Sequence, residues 1–101
     1  MLYDSTKSLL RGVVQSLEDT RADRWDDHAE AGVECLYEMH QMARSLYKGY
    51  RTEGGGGKPG QIPVHERAQR ALPHVKLMVR AIRRKDKVAA AASGAAALAE
   101  L

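Results

Sequence analysis

The sequence contains no phenylalanine, one tryptophan and one cysteine, and these absences limit what the chain can be. Cys35 cannot form a disulfide within one chain, which excludes a small secreted scaffold held together by disulfides. Residues 1–4 do not show the basic and then apolar segments of a signal peptide. No run approaches the roughly 18 strongly apolar residues of a membrane-spanning helix. We therefore expect a soluble, cytoplasmic protein that does not contact a membrane.

Large apolar side chains are also scarce for a chain of 101 residues, which is long enough for one domain. The hydrophobic fraction is 44 %, but much of it is alanine. Alanine buries little area, so the gain from burial, about 25 cal/mol per Å² of apolar surface, is small. The sequence therefore predicts one helical domain over 1–101 that completes its core by self-association, as a homo-oligomer.

The residue types that are present favour helices. β-Branched residues never alternate with polar ones, whereas Ala, Leu, Glu, Arg and Lys dominate, so we expect an all-α protein. The predicted elements are a short helix over 4–19, a long helix over 23–51, a glycine-rich loop over 52–62, a second long helix over 63–91 that is kinked at Pro73, and an alanine-rich tail over 92–101.

The two long helices share a hydrophobic repeat of 3.5 residues. In helix 23–51 the repeat comprises Trp25, Ala29, Gly32, Leu36, Met39, Ala43, Leu46 and Tyr50. The residues that flank it and widen the face are Val33, Tyr37, His40 and Tyr47. Equal lengths, matching repeats and a flexible connection predict an antiparallel helical hairpin with the short helix packed alongside, as in a three-helix bundle.

The alanine-rich tail has no large apolar face before Leu98, and Gly94 interrupts it. Because a helix that packs against nothing is only marginally stable, we expect a frayed or weakly docked tail. The alternative is an alanine-faced helix that packs closely against another subunit.

Charge is distributed unevenly along the chain. Residues 1–57 carry seven basic and ten acidic side chains, whereas residues 58–101 carry nine basic and three acidic ones. In an antiparallel hairpin the acidic start of helix 23–51 lies beside the basic end of helix 63–91. Much of the asymmetry then cancels within the fold, and the charges favour the antiparallel register.

The alternative interpretation of the basic run is a nucleic-acid-binding stripe. Its members lie at spacings of three and four residues, which would let them follow a phosphate backbone. They are Lys76, Arg80, Arg83, Arg84 and Lys87. The helix that would enter a groove begins with acidic residues, so we expect such binding to involve little reading of base sequence.

The most conspicuous motif is TEGGGGKPG over 52–60, which raises the question of a phosphate-binding loop. Such a loop requires G-x-x-x-x-G-K-[ST] between a strand and a helix. When Lys58 is aligned with its lysine, Thr52 stands in place of the first glycine and Pro59 in place of the hydroxyl residue. A predicted helix rather than a strand comes before it. The motif therefore marks the turn of the hairpin.

No pattern for catalysis, metal or cofactor binding is found. The four histidines show no HxxxH or HExxH spacing, and no glutamate stands three residues before any of them. Cys35 has no CxxC partner and shares a helical stripe with Met39 and Met42, so we expect a packed thiol. We expect no catalytic residue, metal or cofactor.

These observations predict a non-enzymatic helical module that binds another protein. Adaptor, inhibitor, antitoxin-like and virion-assembly roles remain equally open. Large aromatic residues are the usual anchors of interfaces, so the candidate interface residues are Trp25, Tyr37, Tyr47 and Tyr50. The alternative for these side chains is a place in the bundle core.

Overall fold

The computed structural model describes residues 2–19, 24–44 and 64–101, and these residues form four α-helices and no strand. The helices are α1 (Leu2–Glu18), α2 (Trp25–Arg44), α3 (Val64–Arg83) and α4 (Lys87–Glu100). The all-α prediction is confirmed. The predicted loop over 52–62, and with it Tyr47 and Tyr50, lies outside the described residues.

α2 and α3 pack side by side and run antiparallel. Near the end of α2, the backbone oxygen of Ala43 accepts a hydrogen bond of 3.1 Å from Gln69 Nε2, near the start of α3. Nearer the start of α2, Gly32 faces Val79 and Ile82, near the end of α3. The helix pair therefore has the orientation that the matching repeats predict.

α4 closes the bundle, because it packs against both α3 and α1. At its end, the backbone oxygen of Leu101 accepts hydrogen bonds from the Tyr3 hydroxyl at the start of α1 and from Arg67 Nη1 at the start of α3. At its start, Lys87 Nζ donates to the backbone oxygen of Asp19, just after α1. α4 is thus antiparallel to both neighbours, and the described helices form a four-helix rather than a three-helix bundle.

The predicted single helix over 63–91 is wrong, because a tight turn divides it into α3 and α4. Lys85 adopts the left-handed conformation, with φ 56°. Its N–H donates to Ile82 O and the N–H of Asp86 donates to Ala81 O, both at 2.9 Å, which is the Schellman arrangement that ends a helix. The Asp86 side chain then caps α4 by accepting from Ala89 N at 3.1 Å.

Pro73 does not break α3, which continues from Val64 to Arg83. The proline is exposed, whereas Ala71 and Val75 on either side of it are fully buried. Their packing holds the backbone helical across a residue that lacks an N–H, so tertiary contacts outweigh the local preference.

The prediction of a frayed tail over 92–101 is also wrong. Ala90, Gly94 and Ala97 are buried in α4, and Leu101 is buried beyond its end. A Cβ atom at Gly94 would lie only 2.6 Å from Val14 Cγ2, so the glycine is what lets α4 approach α1 so closely. The small residues of α4 pack closely within this chain, because they leave room for the side chains of α1 and α3.

The core of α2 differs in part from the predicted repeat. Its buried residues are His28, Gly32, Cys35, Met39 and Met42. Of the predicted positions, Gly32 and Met39 are buried, whereas Trp25, Ala29, Leu36 and Ala43 are only partly so. α2 packs against α1 as well as α3, which turns its most buried side toward the bundle centre. The prediction of a packed Cys35 thiol is confirmed.

Candidate functional site

The outer side of α2 exposes two large apolar residues one helical turn apart. Val33 is 50 % exposed and Tyr37 is 61 % exposed. Residues four positions apart are neighbours on a helix surface, so the two side chains form one patch. The prediction that they widen a buried face is wrong, because neither α1 nor α3 covers them.

Partly buried residues extend this patch toward α3. Leu36 and Ala29 pack against the core while keeping part of their surface open, and His40 is also half-buried. Because spacings of three and four residues place side chains on one face, these five residues form a stripe, here called the α2 surface. It consists of Ala29, Val33, Leu36, Tyr37 and His40.

A polar and basic stripe on α3 lies beside the α2 surface. The exposed hydrogen bond between Gln69 and Ala43 O places Gln69 at the outer side of the groove between the two helices. Residues at spacings of three and four from Gln69 continue that line along α3. This stripe, here called the α3 surface, consists of Gln69, Leu72, Lys76, Arg80 and Arg83, of which all but the half-buried Leu72 are exposed.

The two helices carry opposite net charges. α2 has five acidic side chains and one basic one, for a net charge of −4. α3 has five basic side chains and one acidic one, for a net charge of +4. In both α1 and α4 the numbers of the two signs are equal. The charge separation of the described bundle therefore runs across the α2–α3 pair.

The predicted aromatic interface residues lie in different surroundings. Tyr37 is exposed at the middle of α2, whereas Trp25 is half-buried at its start. The Trp25 and His28 rings form a T-shaped pair with centroids 5.7 Å apart, so the indole packs against a buried side chain. The structure thus places Tyr37 on an open surface and Trp25 at the border of the core.

The five basic residues of the predicted stripe do not share one helix. Lys76, Arg80 and Arg83 are exposed on α3, Arg84 lies in the turn, and Lys87 belongs to α4. Lys87 Nζ donates to Asp19 O at 3.2 Å, which directs this cation toward the end of α1. The turn over residues 84–86 redirects the chain and divides the stripe.

The acidic start of α2 does lie beside the basic end of α3. Asp26, Asp27 and Lys85 line one open depression of about 420 Å³, together with Arg24 and Trp25. Arg24 Nε forms an ion pair with Asp27 Oδ2 at 3.3 Å. Both side chains of this pair are exposed, so it contributes at most about 1 kcal/mol. The depression is shallow and holds no convergent set of catalytic groups.

A groove between α1 and α2 contains two further depressions, with Leu9 in the wall of each. One, of about 210 Å³, is bordered by Glu34 and Glu38, and the other, of about 320 Å³, is bordered by Gly12 and His28. Among the described residues, no group of three or more His, Cys, Asp or Glu side chains is placed to hold a metal ion.

Cys35 is placed for packing rather than for chemistry. Burial, and then the negative charges of Glu34 and Glu38, raise the pKa of the thiol from 9.0 to about 12. A thiol with such a pKa stays protonated at neutral pH, and the thiolate is the nucleophilic form. Cys35 therefore lacks the low pKa and the access to solvent that a nucleophilic cysteine requires.

Comparison with protein-family models, curated proteins and solved structures finds no match to this chain. Within the described part of the chain, no helix combines the length and the apolar character needed to cross a membrane.

The width of the apolar face of α2 in the sequence indicates the α2 surface, although the 3.5-residue repeat alone does not. The apolar face of α2 includes the predicted repeat and also Val33 and Tyr37 beside it. This apolar face is wider than the side of α2 that α1 and α3 cover. An apolar face broader than its neighbours can bury predicts a surface that another molecule covers.

Proposed function

We propose that this chain is a non-enzymatic helical module that binds another protein through the α2 surface. The observation that carries the proposal is the exposed pair Val33 and Tyr37 beside the half-buried Leu36. Contiguous exposed apolar residues rimmed by charges are typical of interaction sites. Tyrosine is a frequent anchor because it buries a large area and loses little side-chain freedom.

The remaining aromatic residues have supporting roles in this proposal. Trp25 is half-buried at the start of the same helix, where a partner that extends along α2 would reach the exposed part of its side chain. Tyr47 and Tyr50 follow α2 in sequence and stay candidates for the same interface, outside the described residues. The partner is a protein rather than a small molecule, because the depressions in the described surface are open and shallow.

The test is affinity capture from the native host with a double variant and a matched control. Val33→Ser combined with Tyr37→Ala removes the exposed patch, whereas Val88→Ser removes another exposed apolar residue, on α4 and 82 % exposed. We expect the wild type and the control to recover the same partner, and the double variant to lose it. Recovery of an identical set of proteins by all three would contradict the proposal. Circular dichroism verifies that each variant is folded.

A second candidate function is nucleic-acid binding by the basic end of α3. The observation that favours it is the exposure of Lys76, Arg80, Arg83 and Arg84 on a helix and turn of high positive charge. Binding of this kind depends on phosphate contacts, so the affinity falls steeply as salt rises. A gel-shift series against salt tests it with Arg83→Ala plus Arg84→Ala, and with Arg11→Ala on α1 as control. Absence of binding at low salt would remove this candidate.

A further inference from the structure

The α2 and α3 surfaces lie next to each other and together form one broad open side of the bundle. From this juxtaposition we propose that the molecule covering it is a second copy of the chain, in a two-fold symmetric dimer. Each copy packs its α2 surface on the α3 surface of the other. This inference rests on the proposed function, because it names the partner that binds the α2 surface.

Charge complementarity is the first argument for a second copy. A molecule that covers this side must be acidic where it meets the exposed Lys76, Arg80 and Arg83 of the α3 surface. It must be basic where it meets the exposed Glu30, which lies three residues before Val33 on α2, whereas Glu34 and Glu38 border the groove with α1. A second copy of the chain supplies both kinds of group, on its own α2 and α3, which lie side by side at the same distance. Complementary potentials fix orientation and suppress incorrect arrangements.

Symmetry then decides which arrangement is possible. A two-fold axis that lies across the helices would place α2 on the partner's α2 and α3 on the partner's α3, and so bring the cations of the two α3 surfaces together. A two-fold axis parallel to the helices instead places each α2 opposite the partner's α3. Since α2 and α3 are antiparallel within the chain, they are antiparallel across this interface as well.

The register of the proposed interface follows from the register within the chain. Ala43 is level with Gln69, and Gly32 is level with the segment from Val79 to Ile82. Equal rise per residue then places Leu36 level with Lys76. Rotation about an axis parallel to the helices leaves heights unchanged, so Leu36 is also level with the partner subunit's Lys76.

The same register pairs specific residues across the interface. His40 is level with the partner subunit's Leu72, which brings two half-buried side chains together at the centre. Glu30 lies within one helical turn of the level of the partner subunit's Arg80, and both side chains are exposed. The long stems of lysine and arginine can cover apolar surface such as Tyr37 while their charged ends meet the acidic groups of α2.

Charge reversal with mixing tests the dimer by sedimentation velocity. Glu30→Arg sets two cations against each other at both symmetric contacts of its own dimer, and Arg80→Glu sets two carboxylates against each other there. Each variant alone should therefore raise the dissociation constant at least about tenfold. In an equimolar mixture both contacts become attractive, so the mixture should regain the dimer. The matched control, Asp4→Arg with Arg11→Glu on the outer side of α1, should leave every mass unchanged.

Three results would overturn the dimer: a monomeric wild type, single variants that dimerise like the wild type, or a mixture that stays monomeric. Failure of the dimer can be distinguished from failure of the proposal that the α2 surface binds a protein. A monomeric wild type whose Val33→Ser and Tyr37→Ala double variant still loses a captured partner would refute the dimer alone. The partner that binds the α2 surface would then be a different protein rather than a second copy of the chain.

Discussion

At the scale of single residues, Gly94 controls how closely α4 packs. An added Cβ would lie 2.6 Å from Val14 Cγ2 and 3.0 Å from Met78 Sδ, so one of the packed side chains must move. We predict that Gly94→Ala lowers the free energy of unfolding by about 1–3 kcal/mol, as overpacked cores do. The loss should occur although alanine has the higher helix propensity.

Gly12→Ala is the matched control for Gly94→Ala. Nothing lies within 4 Å of a Cβ added at Gly12, which is exposed within α1. This variant should therefore raise the free energy of unfolding by about 0.5–1 kcal/mol, which is the propensity gain alone. Urea denaturation of both variants measures the difference. Equal stabilisation by the two alanines would contradict the close packing of α4.

Cys35 should make stability depend on pH in the alkaline range. The folded protein holds the thiol proton up to a pKa of about 12, whereas the unfolded chain releases it near 9.0. The native state then binds more protons between these values, so the contribution of Cys35 is complete below pH 9 and declines as pH rises toward 12.

We predict that the free energy of unfolding falls more steeply with pH in the wild type than in Cys35→Ala, which has no thiol to titrate. Urea denaturation at about pH 8 and about pH 10.5 compares the two slopes rather than the two stabilities. Comparing slopes cancels the loss of unfolding free energy caused by the cavity in Cys35→Ala, because that loss does not depend on pH. Parallel slopes would show that the buried thiol is not responsible.

Residue-level features differed in how far the sequence could predict them. The burial of Cys35 followed from its spacing to Met39 and Met42 on one helix. The role of Gly94 did not, because its crowding neighbours Val14 and Met78 lie on other helices, far away in sequence. A glycine within an alanine run is read locally as an interruption, and only the assembled bundle shows that it is a contact.

At the scale of elements, the turn between α3 and α4 can be improved by design. Lys85 has φ 56°, a conformation that costs a residue with a Cβ about 1 kcal/mol and that glycine adopts freely. We predict that Lys85→Gly raises the free energy of unfolding by about 0.5–1 kcal/mol, after allowance for the greater freedom of glycine in the unfolded chain. Lys85→Ala removes the same charge but keeps the Cβ, so it should bring no gain. A destabilising Lys85→Gly would argue against the Schellman turn.

The cap of α4 gives a second prediction for this turn. Asp86 accepts a hydrogen bond from Ala89 N, so Asp86→Ala should lower the free energy of unfolding by about 1 kcal/mol. Asp86→Asn retains the acceptor and should be nearly neutral. Thermal or urea denaturation measures both. If asparagine cost as much as alanine, the hydrogen bond could not be the source of the effect.

The position of this turn was not evident from the sequence for a physical reason. Helix ends are read from glycine and proline, and residues 84–86 contain neither. Pro73 offered the stronger local signal, yet packing at Ala71 and Val75 keeps α3 intact there. Asp86, followed by an alanine-rich run, was the available sign of a new helix, since aspartate is a favoured capping residue.

At the scale of the whole molecule, the sequence predicted the helical class and the antiparallel pairing of α2 with α3 because hydrophobic repeats are long-range patterns. It missed the fourth helix, since an alanine-rich segment shows no large apolar face by which to assign it. The proposed α2 surface overlaps the predicted interface residues only in part. Tyr37 was included, but Val33 and Leu36 became interface candidates only when their exposure was known.

The mass of the wild-type particle in solution tests the central claim, that the α2–α3 side is covered by a second copy. One chain has a mass of 11.1 kDa. Light scattering behind a size-exclusion column, at tens of micromolar protein and low salt, should give twice that mass. A folded particle that stays at 11.1 kDa across this concentration range would contradict the claim.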